Sequence, residues 1–185
     1  MTTKKILQGL AGIFLAGSIL AASAYTFIAL QSWQLAEGYS VAFSCNEAAG
    51  IFRDVKGTLL FEEGQTAVSK FDITIDVNSI NTGNGLQNKH AKSDEWFDAA
   101  KYPAIHYSST HIVKNAGGGY AATGDLEMHG VKRTISFPFN FQRTPKGGTF
   151  AAKFMVNRAD FGVGKPGGDV DDKIQIELNV PVTAK

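Results

Sequence analysis

From Trp33 onward, apolar residues recur at every second position rather than at the 3.6-residue spacing of a helix. Phe71, Ile73, Ile75 and Val77 alternate with Lys70, Asp72, Thr74 and Asp76. Ile135, Phe137, Phe139 and Phe141 alternate with Ser136, Pro138 and Asn140. Ile174, Ile176, Leu178, Val180 and Val182 alternate with Gln175, Glu177, Asn179 and Pro181, and Phe150, Ala152, Phe154 and Val156 repeat the theme. Strands with one apolar and one polar face belong to antiparallel sheets that are wet on one side. Leu35–Phe43, Asp54–Phe61, Ile105–Val113 and Tyr120–His129 read as four further strands. Glu62-Glu63-Gly64, Asn115–Gly119 and Pro145–Gly148 read as hairpin connections. About eight strands at such short spacing predict an up-and-down barrel or a sandwich. Pro138 and Pro181 occupy outward positions and predict edges or bulges; an exposed edge there could pair two chains into a homodimer.

One region departs from this period. Asn84 stands three residues before Gln87, a capping-box-like start, and Ser93 offers a second N-cap before Pro103 closes the segment. One or two short helices are therefore expected between strands, lying across an end of the sheet. At the N-terminus, Lys4 and Lys5 precede an uncharged stretch from Ile6 to Trp33. Leu10–Leu20 has the length of a signal-peptide core, and Ala22-Ser23-Ala24 offers a cleavage site, so residues 1–24 read as a signal peptide. The apolar run also continues to Leu30, and roughly 20 residues suffice to span a bilayer, so residues 6–30 can instead be an uncleaved anchor. Both readings place the lysines in the cytoplasm and the domain, residues 33–185, outside it, in the periplasm or tethered at the membrane.

Composition narrows the classes of function. A formal net charge of +1, with no basic patch carrying interleaved aromatics, gives no reason to expect a nucleic-acid partner. Twenty Gly and 13 Phe suit many tight turns and strands with one buried face. The single cysteine, Cys45, makes no intramolecular disulfide and reads as a half-buried strand-end residue. Nucleophile-elbow, zinc-protease, P-loop and paired C-x-x-C motifs are missing, so no catalytic residue, cofactor or metal is expected. His106 and His111, an odd number apart, would face opposite sides of a regular strand. Asp169, Asp171 and Asp172 lack the spacing of a calcium loop and read as a solvated turn.

Arg158 has two readings: a loop-fixing partner of Asp160, or a guard at a cavity mouth that grips an anionic head group. An eight-stranded barrel can be filled by its own side chains or can hold one slender ligand. Inward Phe and Ile favour filling, whereas Ala122 and Gly124, in line with Leu126, leave space.

Several phrases together resemble the YceI-like polyisoprenoid-binding family. They are Val77–Gly83, His90, Trp96–Pro103, Gly124-Asp125-Leu126 with Met128-His129-Gly130-Val131, and Asn157-Arg158 with Asp160-Phe161-Gly162; Gly57–Phe61 fits the family's early strand pair. The resemblance runs from about Trp33 to Val182, departing where Lys132 replaces the usual Thr after H-G-V. It implies a lipocalin-like, eight-stranded antiparallel barrel in an exported bacterial protein. The barrel's apolar tunnel would hold a long-chain isoprenoid, an isoprenoid quinone or another amphiphilic lipid for storage or transport. The family is not established as catalytic, although an enzyme or redox carrier acting on the bound lipid, or a filled barrel acting as an interaction module, stays open. On this reading the tail lies among Phe71, Ile73, Ile75, Ala122, Gly124, Leu126, Phe137, Phe139, Phe154, Ile176 and Leu178. His90, His129 and Arg158 would make the polar contacts.

Overall fold

A computed structural model describes residues 29–185; the signal-peptide reading, residues 1–24, and all but the last two residues of the anchor reading, 6–30, lie outside them. Eleven strands form one antiparallel sheet that closes on itself: β1 (Ser32–Leu35), β2 (Ser40–Ser44), β3 (Ala49–Phe52), β4 (Val55–Leu60), β5 (Lys70–Asp76), β6 (Ile80–Asn81), β7 (Ala104–Lys114), β8 (Tyr120–Met128), β9 (Val131–Thr144), β10 (Gly147–Asn157) and β11 (Lys173–Ala184). The register shows that these are eight barrel strands, of which the first three are each broken in two. β1 pairs with β4 while β2 pairs with β3, β4 pairs with β5 while β3 pairs with β6, and β11 pairs with both β1 and β2 to close the ring.

The alternation predicted the five unbroken strands well but not the breaks. Between β3 and β4, backbone groups that leave the ladder are taken up by side chains: the Tyr39 hydroxyl donates to Arg53 O (2.7 Å) and accepts from the Val55 amide (3.3 Å), and Ser79 Oγ accepts from the Arg53 amide (3.1 Å). Polar backbone leaving a sheet must find such partners.

Neither proline lies on a free outer strand. Pro181 sits where β11 changes partner, between the β2 section at Gln175–Asn179 and the β1 section at Val182–Ala184. Its carbonyl accepts from the Ala36 amide, so its missing N–H falls opposite the break in the first strand. Pro138 pairs with Ala121 of β8, and on its other side the β9–β10 ladder, running from Thr144 to Phe139, stops beside it. Val131–Phe137 and Lys153–Asn157 flank a seam in the wall without strand pairing, crossed by the stacked rings of Phe137 and Phe154, 4.4 Å apart and 13° from parallel.

A bulge in β7 between Ser109 and His111 corrects the reading of the histidines. Ile105, Tyr107 and Ser109 are buried, then Ile112, so the inward series shifts by one residue and His106 and His111 share the outer face. Gly124 lies against this bulge: a Cβ there would be 2.3 Å from Ser108 O and 2.6 Å from Ser109 Cα. Its lack of a side chain lets β7 and β8 approach rather than leaving room in the barrel.

Much of the phenylalanine content closes one end. Phe61, wholly buried, contacts the rings of Phe71, Tyr120, Phe139, Phe141 and Phe150 at centroid distances of 5.0–6.1 Å, mostly edge-on. Edge-to-face contacts of this kind add about 0.5–1.5 kcal/mol per pair beyond simple burial. Ala122, with no exposed surface, is packed in the core cluster.

Candidate functional site

The opposite end is open. There β6 leads into the helix α1 (Gly85–Ala91), whose N-cap Asn84 accepts from the Leu86 and Gln87 amides as the sequence predicts. Ser93 caps no second helix; its hydroxyl donates to His90 O at 2.7 Å, and the chain continues in turns to Pro103. Among the described residues α1 is the only α-helix.

Between this mouth and the aromatic floor the barrel holds a cavity of about 650 Å³. Its walls are almost wholly apolar. Phe71, Ile73 and Ile75 contribute from β5, Leu126 from β8, Phe137 and Phe139 from β9, Phe154 from β10, and Ile176 and Leu178 from β11. Ala122 and Gly124 are not in the lining, for the packing reasons above. The alternation alone could have added Val41, Phe43, Val180 and Tyr107, which also line it. Leu86, Trp96, Phe97, Val163 and Val170 stand on the helix and loops at the mouth, where no period announces them. Leu86 is 77% exposed, an apolar side chain presented at the rim.

The sequence phrases converge at this mouth. His129 and Gly130 form the two-residue turn between β8 and β9, both at positive φ (53° and 73°), the geometry of a tight hairpin. The His129 ring meets the Tyr102 ring edge-on at 4.7 Å, and its Nδ1 lies 3.3 Å from Phe161 O. A Cβ at Gly130 would strike the Tyr102 ring at 2.6 Å. Tyr102, His129-Gly130 and Phe161 thus come from three phrases and lock together. His129 is not in the cavity lining; its contacts hold the loops.

His90 does reach the cavity rim, and its Nε2 accepts the Trp96 indole N–H at 2.7 Å, which fixes Trp96 at the mouth. Arg158 also lines the cavity yet is only 4% exposed, and all three nitrogens of its guanidinium bond to its own loop. Nε donates to Asp171 O (3.0 Å) and Nη1 to Val163 O (2.8 Å). Nη2 donates to Lys165 O (3.1 Å) and Val170 O (2.7 Å), and also pairs with Asp172 Oδ1 (2.9 Å). Its face lies over Trp96, 5.1 Å from the centroid. The loop-fixing role therefore holds, with Asp172 rather than Asp160 as the ionic partner; Asp160 instead accepts from Asn157 Nδ2. Asp171 and Asp169 are tied to Asn46 of the β2–β3 turn, so the acidic group stitches two loops of the rim. Cys45 lies half-buried just past β2, at the same rim.

Comparison with known proteins agrees with this architecture. A UPF0312 protein of Photorhabdus laumondii is 35% identical over 142 residues, covering 71% of this chain and 69% of that protein. Protein YceI of Salmonella arizonae is 28% identical over 137 residues, covering 71% of each. The crystal structure of BcnA from Burkholderia cenocepacia superposes with a TM-score of 0.73 at 27% identity, covering 78% of this chain and 96% of that one. A polyisoprenoid binding domain from Saccharophagus degradans shares the fold, with a TM-score of 0.65 at 17% identity, over 85% of this chain and all of that one. Residues 33–182 match the YceI-like domain as a whole, and the chain belongs to that family.

Proposed function

We propose that the barrel binds one long-chain isoprenoid, isoprenoid quinone or similar amphiphilic lipid and carries or stores it in the bacterial cell envelope. The observation that supports this most is the cavity itself: about 650 Å³, apolar, floored by aromatic rings and open beside α1. An apolar cavity of about 150 Å³ holds one benzene, so at that density the barrel takes about 25 carbon atoms, or about five isoprene units. Each buried methylene contributes about 0.8 kcal/mol, so a tail of that length binds without a charged anchor. The polar residues at the rim serve the walls: Arg158 and Asp172 hold the loop, and His90 holds Trp96. The polyisoprenoid binding domain of the same fold is in keeping with such a ligand. The N-terminal sequence supports an exported or membrane-tethered location, which would put the barrel beside the bilayer that supplies its ligand.

Native mass spectrometry of protein purified from the envelope fraction tests the proposal. The expected spectrum shows one lipid per chain. A chain that arrives empty and takes up no isoprenoid or fatty amphiphile on incubation would rule it out.

A further inference from the structure

One residue of the cavity wall, Tyr107, carries a buried hydroxyl with no partner. Tyr107 points inward from the middle of β7, in register with Ile73 on one side and Leu126 on the other, and all three line the cavity. It stands one inward position below Ile105, toward the mouth, and one above Ser109, toward the floor. The residue is 9% exposed, and its ring lies 5.3 Å from that of Phe137. The hydroxyl oxygen is shielded and, among the buried side-chain polar atoms of the described residues, is the one without a hydrogen-bond partner. The other inward hydroxyl of the strand, Ser109 Oγ, accepts from the Phe71 amide at 2.8 Å. Buried hydroxyls are ordinarily paired, and one left alone is costly relative to phenylalanine, which would fill the same space without the oxygen.

We infer that Tyr107 is the internal polar contact of the cavity, donating a hydrogen bond to a neutral acceptor oxygen on the bound lipid. This rests on the barrel being a lipid carrier, and it narrows the ligand from any long tail to one with a carbonyl, ester or hydroxyl oxygen. A charged head group does not fit this position, since the surrounding wall from Ile73, Leu126 and Phe137 supplies no counter-charge. Burial, with Asp125 adding to it, pushes the phenol well above its ordinary pKa, so the group is a proton donor throughout the physiological range. A ring carbonyl, an ester and an alcohol share this acceptor chemistry; a diphosphate does not.

The test compares wild type with Tyr107→Phe on four ligands: geranylgeraniol, the hydrocarbon lacking its hydroxyl, a quinone with a short isoprenoid tail, and geranylgeranyl diphosphate. The expected result is that wild type prefers the alcohol or the quinone over the hydrocarbon by about fivefold or more, the size of one net hydrogen bond. Tyr107→Phe should abolish that preference while keeping hydrocarbon affinity, and its unliganded melting temperature should be unchanged or higher. Equal affinities of the two proteins for both oxygenated ligands would overturn the inference while leaving lipid carriage intact. So would a preference for the diphosphate that survives the substitution. A wild-type protein that binds none of the four ligands would remove both readings together.

Discussion

Arg158→Ala isolates what holds the mouth together. In the native loop, the guanidinium satisfies the carbonyls of Val163, Lys165, Val170 and Asp171 and pairs with Asp172, with 5% of its side chain exposed. A hydrogen bond to a charged group contributes about 1.5–3 kcal/mol, so four taken at face value would exceed the stability of many domains. The carbonyls lie on a surface loop, however, and regain water if it opens. The cost is therefore set by opening the loop and unpairing Asp172, about 3–4 kcal/mol, toward the lower end of what removal of one partner from a buried ion pair costs. At this domain size each kcal/mol lowers the melting temperature by about 2–4 °C, so Arg158→Ala should melt roughly 10 °C below wild type. Arg158→Lys keeps the charge but not the planar fork and should recover less than half of the loss. Asp172→Asn should lose less than Arg158→Ala, because Asp172 is 32% exposed and can be solvated. Thermal denaturation followed by circular dichroism measures all three. Melting of Arg158→Ala within 2 °C of wild type, or full rescue by lysine, would refute the staple and return Arg158 to consideration as a head-group contact.

Gly124→Ala should lose about 1–3 kcal/mol by denaturant titration, since its Cβ would strike the β7 backbone at 2.3 Å; lipid uptake at temperatures where it is folded should match wild type. Amides of Val131–Phe137 and Lys153–Asn157, on the seam, should exchange with deuterium faster as a group than those of β8, which pairs with β7 on one side and β9 on the other. On the outer face, the His106 hydrogen bond, offset in part by burial and helped by Ser108, holds the Asp72 carboxyl below its ordinary value. A depressed folded pKa contributes stability above the unfolded value near 3.8, and that contribution fades as pH falls through the folded one. Asp72→Asn should therefore soften the acid limb of the stability curve below about pH 4 by no more than about 0.5 kcal/mol, because both groups are over 40% exposed.

The barrel was legible in the chain because a period of two is a direct consequence of one-sided burial, and Phe71, Ile73, Ile75, Phe137, Phe139, Ile176 and Leu178 fell on the inner face where the alternation puts them. The breaks in the first three strands were not legible. They depend on Tyr39 and Ser79 reaching backbone groups 14 and 26 residues away, a tertiary effect that leaves no period. Small residues were ambiguous for a related reason. Ala122 and Gly124 look the same in sequence whether they leave a void or admit a neighbour, and at Gly124 it is the bulge in β7 that decides for the second. The motif phrases were visible as phrases, but their work is to clamp one another: Trp96 to His90 and Arg158, Tyr102 to His129, His129 to Phe161. Polar residues concentrated there attract functional readings, while Tyr107, inside the predicted strand Ile105–Val113, belongs to no motif that would single it out.

Whether the 650 Å³ cavity is a ligand site can be measured most directly by paired lipid loading of wild type and Ala152→Trp. Ala152 lines the cavity on the inward face of β10 between Phe150 and Phe154, so an indole there occupies the space of the tail while the outer surface is untouched. Native mass spectrometry after incubation with a lipid of about 20–25 carbons, alongside melting curves showing both proteins folded, should give one lipid per wild-type chain and almost none on the variant. Equal loading of the two folded proteins would place the lipid outside the barrel and contradict the central claim.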